Sequence, residues 1–153
     1  MEIAGVAFYI SLDYNYSKRP ELSLMNEFIE TLFVEINCVN RKNIIIGVIY
    51  RPPNSNQNNF LLSLQNILSN PILRGKDCFL MGDFNINLLN YDTDAFVHDF
   101  YGTLLTSSFI PLISKPTRIV EQSSTLIDNI FTNMHPLPQA GVVISDLTDH
   151  FPI

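Results

Sequence analysis

Side chains that could bind a metal ion or take part in catalysis occur in three short clusters, each at or near the end of an apolar, strand-like segment. The three clusters are Gly82-Asp83-Phe84-Asn85, Asp128-Asn129 and Asp149-His150. Strand ends hold side chains rigidly at a sheet edge, where groups from separate strands can share one cleft. Carboxylate and amide oxygens suit a hard cation such as Mg²⁺, and a histidine beside a carboxylate suits general acid–base catalysis. Together these residue types favour metal-assisted attack of water on a phosphodiester.

Each cluster also has an ordinary structural explanation. Residues 82–85 contain typical turn formers, and residues 149–150 could be a surface turn that leads into a strand. Asp128 is harder to explain in this way, because it lies inside an apolar strand, where an unpaired carboxylate is costly to bury. Its position favours a functional site even without any comparison to known proteins.

The apolar patterns predict the elements that would hold these clusters. Strands are predicted at residues 5–12, 31–39, 43–50, 77–81, 125–132 and 141–145, with a further strand starting at 150, and helices at 56–69 and 94–109. The β-branched run at 43–50 is typical of a strand covered on both faces, and Pro52 ends it. Several strands with helices between them predict one layered α/β domain over residues 1–153.

The composition indicates a globular chain, because 46% of the 153 residues are apolar, which is enough for a core. No apolar run reaches membrane-spanning length, and the first ten residues, which include Glu2 and no basic leader, predict a strand and not a signal peptide.

Cys38 and Cys78 lie in strand-like runs, which favours reduced thiols over a disulfide or a metal site. We therefore expect a cytoplasmic or nuclear protein.

The net charge of −6 is unusual for a protein that binds nucleic acid, because such affinity comes largely from basic residues that face phosphates. Arg51, Lys115 and Arg118 flank the motifs, so they could form a local basic rim, with Arg51 a candidate substrate contact. They could equally be ordinary solubilising charges, and their spacing does not decide between the two interpretations.

Three segments resemble, in order and spacing, the endonuclease/exonuclease/phosphatase superfamily, and the resemblance covers nearly the whole chain. The segments are residues 82–85 (Gly-Asp-Phe-Asn), 125–131 (Thr-Leu-Ile-Asp-Asn-Ile-Phe) and 149–153 (Asp-His-Phe-Pro-Ile). Residues 31–36 and 49–53 resemble segments of one branch, the endonucleases of non-LTR, LINE-type retrotransposons. The resemblance implies a deoxyribonuclease-I-like fold, in which two packed β-sheets are flanked by helices. It also implies Mg²⁺- or Mn²⁺-dependent nicking of DNA, by a domain fused to a reverse transcriptase in the full element.

The resemblance implies a role for each matching position. His150 would be the catalytic histidine beside the scissile phosphate, oriented and polarised by Asp128. Asp83 would position or deprotonate the attacking water. Asn85 would contact the phosphate or the transition state, and Tyr50 would reach the phosphate through its hydroxyl.

Asp149 would lie in the metal site, and Thr125 matches a small hydroxyl residue near the DNA. The superfamily also carries an Asn and a metal-binding Glu upstream of the strand matched by residues 5–10, and its last strand continues beyond Ile153. The resemblance therefore implies a domain that is incomplete at both ends, poorly stable alone and with little or no nuclease activity. Glu35 is predicted to be a solvent-facing or pairing glutamate and not the missing ligand.

Two other functions stay open from the sequence. One is an inactive relic or binding fragment that keeps the fold without turnover. The other is a different phosphoesterase of the same superfamily, acting on an abasic site, an inositol phosphate or sphingomyelin. The Arg-Pro-Pro-Asn segment at residues 51–54 argues against the second of these.

Overall fold

A computed structural model describes residues 5–153, and its centre is a six-stranded mixed β-sheet. The elements in chain order are β1 Tyr16–Lys18, β2 Glu30–Ile36, β3 Ile44–Tyr50, α1 Gln57–Leu68, β4 Asp77–Asp83, α2 Ala95–Thr106, β5 Ile110–Pro111, β6 Arg118–Val120, β7 Ser123–Thr125 and β8 Asp128–Thr132. The sheet has the order β1-β2-β3-β4-β8-β5, and β6 and β7 form a separate two-stranded sheet. The predicted α/β class is confirmed.

The connections follow from the strand directions. β3 and β4 are parallel, whereas the other neighbouring strands of the large sheet are antiparallel. Parallel neighbours need a crossover, and α1 supplies it. Pro52 and Pro53 directly follow β3, where proline cannot continue a ladder, and the Asn56 side chain caps α1 by accepting from the Asn59 amide.

The core lies between the helices and one face of the sheet. It is formed by large buried side chains from both layers, including Phe33, Ile45, Ile49, Phe60, Leu64, Leu80, Phe100 and Phe131. Phe84, just after β4, completes an aromatic group, with its ring centroid 5.4 Å from Phe100 and 5.3 Å from Phe131. The end of β4 is therefore fixed by packing on the core side.

The other face of the sheet is less covered. Burial alternates along β3, so Ile45 and Ile49 are fully buried while Ile46 and Val48 are only half-buried. The prediction that residues 43–50 are covered on both faces is therefore wrong for this structure. Side chains that point to this second face, including those at the ends of β4 and β8, reach solvent.

Three predicted strands are not formed. Residues 5–12 pair with no other strand among the described residues, and Tyr9 and Leu12 are fully exposed. Residues 141–145 keep one ladder-like contact, from the Val143 amide to the Pro152 carbonyl at 2.8 Å. The strand predicted from residue 150 is reduced to a single bridge between His150 and Arg118. An apolar run becomes a strand only where it shares a continuous ladder of hydrogen bonds with a neighbouring backbone, and within residues 5–153 these runs have at most isolated bonds. The prediction for residues 1–4 lies outside the described part.

The structure also contains elements that the sequence patterns missed. These are the short strands β1 and β5 and the β6–β7 hairpin, most of which lies in residues 117–124, where no element was predicted. Both cysteines are free thiols, and burial raises the pKa of Cys78 to about 12. Among the described residues, every helix is too short or too polar to cross a membrane.

Candidate active site

Asp83 and Asp128 meet because their strands are adjacent and antiparallel. They are directly opposite each other in the last pair of the β4–β8 ladder. Directly opposed residues point to the same face with their Cβ atoms about 5 Å apart. Both carboxylates therefore emerge together on the less covered face of the sheet.

His150 reaches the two carboxylates from the C-terminal segment. Its backbone bridges to Arg118 of β6, and the Phe151 amide donates to the Thr117 carbonyl at 2.6 Å. Ligand atoms of Asp83, Asp128 and His150 all lie within 4.8 Å of one another. The three sequence clusters therefore do converge, although the strand expected to carry His150 is not formed.

The imidazole of His150 is held by Asp128. Its Nδ1 lies 3.2 Å from Oδ1 and 3.1 Å from Oδ2 of that carboxylate. The Asp128 side chain is 15% exposed and that of His150 36% exposed, so the pair opens to solvent on the imidazole side. A carboxylate that accepts from Nδ1 leaves Nε2 as the atom free to act on a ligand.

Thr117 fixes the Asp128 carboxylate from behind, and it was not identified from the sequence. Its hydroxyl donates to Asp128 Oδ2 at 2.7 Å and accepts from the Asp128 and Ile127 amides at 3.0 and 3.3 Å. Thr117 is fully buried, so these bonds are shielded from water. A single threonine after Pro116, where no element was predicted, gives no signal of this role.

The turn after β4 orients Asp83. The Asn85 amide donates to Asp83 Oδ1 at 2.9 Å, and the Asn85 side chain donates to the Arg51 carbonyl at 2.8 Å. Asn85 has a φ of +48°, a conformation that asparagine tolerates better than most residues. Burial raises the pKa of Asp83 above its ordinary value, and the charge of Asp128 adds to this, while the Asn85 amide opposes it.

A glycine allows β4 to approach β3 at this point. Gly82 has a φ of +142°, and a Cβ atom there would lie 2.0 Å from the Ile49 carbonyl oxygen. The contact continues one residue later, where the Arg51 amide donates to the Asp83 carbonyl at 3.0 Å. Asp83 is thus attached to the end of β3 as well as to β8.

Tyr50 ends β3 and lies on the same sheet face as Asp83. Burial raises the pKa of its phenol, and the nearby carboxylates of Asp83 and Glu30 raise it further. Glu30 is opposite Tyr50 in the β2–β3 ladder and is itself buried. The Tyr50 hydroxyl therefore stays protonated and can donate a hydrogen bond at this edge of the site.

Arg51 is buried, which does not match a contact at an open rim. Its side chain is used internally, with donation to the Ser55 carbonyl at 2.9 Å and to the Asn85 carbonyl at 3.1 Å. The guanidinium also stacks over the rings of Phe60 and Phe96, at 5.6 and 5.3 Å from their centroids. Arg51 therefore ties the β3–α1 and β4 loops together beneath the site.

Asp149 is beside the site but outside the group of three. Its Oδ2 accepts from Arg118 Nε at 2.7 Å, and this hydrogen bond lowers the pKa of Asp149. Thr125 ends β7 directly opposite Arg118, and its carbonyl accepts from the Thr117 amide at 2.9 Å. Both residues are thus held by the segment 117–118, next to His150.

An open cleft of about 390 Å³ gives access to the three converging residues. Asp83, Asp128 and His150 form its polar end. Apolar side chains of the sheet and of the C-terminal segment form the rest, namely Val48, Met81, Ile130, Phe151, Pro152 and Ile153.

Comparison with solved structures identifies this architecture. The endonuclease domain of TRAS1, a telomere-specific non-LTR retrotransposon, matches with a TM-score of 0.72 and 19% identity, over 91% of this chain and 64% of that one. An endonuclease/exonuclease/phosphatase family protein from Leptotrichia buccalis matches with a TM-score of 0.53 and 18% identity, over 79% of this chain and 51% of that one. No protein-family model and no curated protein sequence matches the chain. The chain has the deoxyribonuclease-I-like fold that its motifs predicted, and it spans less than two thirds of the length of these structures.

Proposed function

We propose that this chain is a divalent-metal-dependent phosphodiesterase that nicks DNA, and that it serves as the endonuclease of a non-LTR retrotransposon. The observation that carries the proposal is the convergence of Asp83 with the Asp128–His150 pair, whose ligand atoms lie within 4.8 Å of one another. The motifs in the sequence and the fold shared with the TRAS1 endonuclease domain support the choice of reaction and of element. In the full element, the domain would act beside a reverse transcriptase.

Each polar group at the site has a chemical role that fits its surroundings. Asp83 positions the attacking water and accepts its proton, because its carboxylate lies at the polar end of the cleft beside His150. His150 presents Nε2 to the phosphate while Asp128 holds Nδ1. Tyr50 donates its phenolic hydrogen to a phosphate oxygen, and the Asn85 turn keeps Asp83 in place.

The donor set at this site fits a hard cation. Two half-buried carboxylates meet there, and neither has a lysine or arginine partner among the described residues, so negative charge is left to be balanced. Asp83 and Asp128 would supply oxygen ligands, with Asp149 available at the rim once it leaves Arg118. A bound Mg²⁺ or Mn²⁺ would stabilise the charge that develops on the phosphate oxygens.

Nicking of supercoiled plasmid tests this function. The resemblance implied little or no activity, but the convergence of Asp83, Asp128 and His150 leads us to the opposite expectation. We expect the purified chain to convert supercoiled to open-circular DNA in Mg²⁺ or Mn²⁺, and we expect EDTA or His150→Ala to stop the conversion. His98→Ala is the matched control, because His98 lies on α2 with a side chain that is 62% exposed. No nicking by a folded wild-type chain, or equal nicking by His150→Ala, would count against the proposal. Activity on small phosphate monoesters or phospholipid analogues but not on DNA would favour another phosphoesterase.

A further inference from the structure

Arg118 lies between two residues of the site. It is paired with Thr125 on one side, in the β6–β7 hairpin, and with His150 on the other, through an isolated antiparallel bridge. Residues paired across neighbouring segments point to the same face, with their Cβ atoms about 5 Å apart. Thr125, Arg118 and His150 therefore form a row of side chains beside the reacting centre.

The Arg118 side chain reaches solvent beside the site. Thr117, the residue before it, is fully buried against Asp128, whereas Arg118 is only half-buried. The Arg118 side chain is 43% exposed. Within residues 5–153, its guanidinium contacts one partner, Asp149 Oδ2, through Nε at 2.7 Å, and the two terminal amino groups make no hydrogen bond.

The negative charge around the site favours a positively charged side chain at the position of Arg118. The chain has a net charge of −6, and two carboxylates converge at the reacting centre, so an approaching phosphodiester meets negative charge. Arg118 is close to this centre, because its backbone bridges to that of His150 and its side chain contacts the neighbouring Asp149. Arg51, the other arginine near the site, is buried and already engaged.

We propose that Arg118 binds the phosphodiester group of the DNA, and that it exchanges its contact with Asp149 for the phosphate oxygens when substrate arrives. This inference rests on the proposed function. A guanidinium offers two parallel N–H groups that match two phosphate oxygens, and Arg118 has such a pair free. The exchange is easy, because an ion pair as exposed as Arg118–Asp149 holds its partners weakly.

Binding of a short DNA duplex, followed by fluorescence anisotropy in EDTA, tests the inference without any turnover. We expect Arg118→Ala to raise the Kd about tenfold and to reduce the slope of log K against log salt by about one. Arg118→Lys keeps the positive charge but loses the two parallel N–H groups of the guanidinium. Its Kd should therefore lie between those of the wild type and Arg118→Ala. The matched control is Arg41→Ala, an equal loss of charge at an exposed residue of the β2–β3 turn, which should leave both quantities near their wild-type values.

Asp149→Asn separates a phosphate contact from a structural ion pair. If Arg118 only holds the segment around Asp149 in place, Arg118→Ala and Asp149→Asn should raise the Kd for the duplex by similar factors. If Arg118 binds phosphate, Asp149→Asn should instead tighten binding, because it removes the competing carboxylate. Circular dichroism spectra should match the wild type for every variant compared.

Hydrolysis in Mg²⁺, measured separately, distinguishes this inference from the proposed function. Selective loss of binding in Arg118→Ala supports the phosphate contact even if the wild type never cleaves DNA, a result that would overturn only the proposed catalysis. Cleavage by the wild type together with equal binding by Arg118→Ala and Arg41→Ala would overturn only the role of Arg118. A wild-type chain that binds no duplex at low salt would also overturn it.

Discussion

His150 and Asp128 are 22 residues apart in the sequence, yet the imidazole Nδ1 lies within 3.2 Å of both oxygens of the carboxylate. The short distance results from two separate anchors. Asp128 is fixed by its place in β8, and His150 by its backbone bridge to β6. Because Thr117 links the same two segments, the geometry of this pair depends on the β6 region as much as on the large sheet.

The first prediction concerns Asp128. Asp128→Asn removes the carboxylate that contacts Nδ1 and orients the imidazole, so the rate of DNA nicking should fall by about 100-fold or more. The exposed Asp146→Asn is the control, and it should nick within about twofold of the wild type. Plasmid nicking at saturating Mg²⁺ measures both. Activity of Asp128→Asn close to that of the control would show that the carboxylate does not act through His150.

The second prediction concerns Thr117. Thr117→Val leaves the buried amides of Ile127 and Asp128 without their acceptor, which should cost about 1–3 kcal/mol in the free energy of unfolding. It also frees the Asp128 carboxylate, so the pH profile of nicking should shift as well as the rate. Thr117→Ser keeps the hydroxyl and should restore both the pH profile and most of the activity. Urea denaturation and pH–rate profiles of the wild type, Thr117→Val and Thr117→Ser test this prediction. Identical pH–rate profiles in all three proteins would indicate that Thr117 has only a structural role.

Much of the framework could be predicted from local pattern. β2, β3, β4, β8 and both helices form where apolar periodicity and capping residues predicted them. These are the long elements, in which several residues repeat the same signal. Asp83, Asp128 and His150 were also singled out from the sequence, because carboxylates and a histidine beside apolar runs are conspicuous, and the structure brings them together.

The remaining parts depend on partners distant in sequence. Residues 5–12 and 141–145 have strand-like composition but no strand beside them within residues 5–153, and pairing decides the outcome. β6 and β7 have only three residues each, too few for a period to show. The contacts of Thr117 depend on the hairpin and had no signal in the sequence, whereas Arg118 was a candidate for a basic rim by its position alone. Arg51 was a rim candidate by position, and only the tertiary structure shows that it is buried.

The third prediction concerns Glu35, whose side chain is 1% exposed and which proves to be a pairing glutamate. It accepts from Arg19 Nε at 2.8 Å, from Asn43 Nδ2 at 2.8 Å and from the Lys76 ammonium. Burial alone would raise the pKa of Glu35, but the three donors outweigh burial and lower it to about 2. The folded state therefore prefers the ionised form. Its contribution to stability is complete above the ordinary pKa of 4.5 and is lost as the pH falls towards 2.

Glu35→Gln should therefore reduce the free energy of unfolding by about 3 kcal/mol at pH 7, because two cations lose their buried partner. The difference from the wild type should shrink steadily below pH 4.5 and become small near pH 2, where about half of the wild-type carboxyls are protonated in the folded state. Glu27→Gln, at an exposed position, is the control and should follow the wild type throughout. Chemical denaturation across this pH range gives the test. A constant difference between Glu35→Gln and the wild type would mean that the glutamate contributes by packing and not by charge.

The last prediction compares two glycines. Gly82→Ala places a methyl group 2.0 Å from the Ile49 carbonyl at a φ of +142°, so β4 must move away from β3. We expect a loss of about 3 kcal/mol or more in stability and a loss of nicking, because Asp83 and Tyr50 would separate. Gly102→Ala, inside α2 with nothing within 4 Å of the added Cβ, should instead stabilise the chain by about 0.5–1 kcal/mol and leave nicking unchanged. Thermal melts and plasmid nicking distinguish the two. If Gly82→Ala kept wild-type activity, the close approach of β3 and β4 would not be what positions Asp83 against its neighbours.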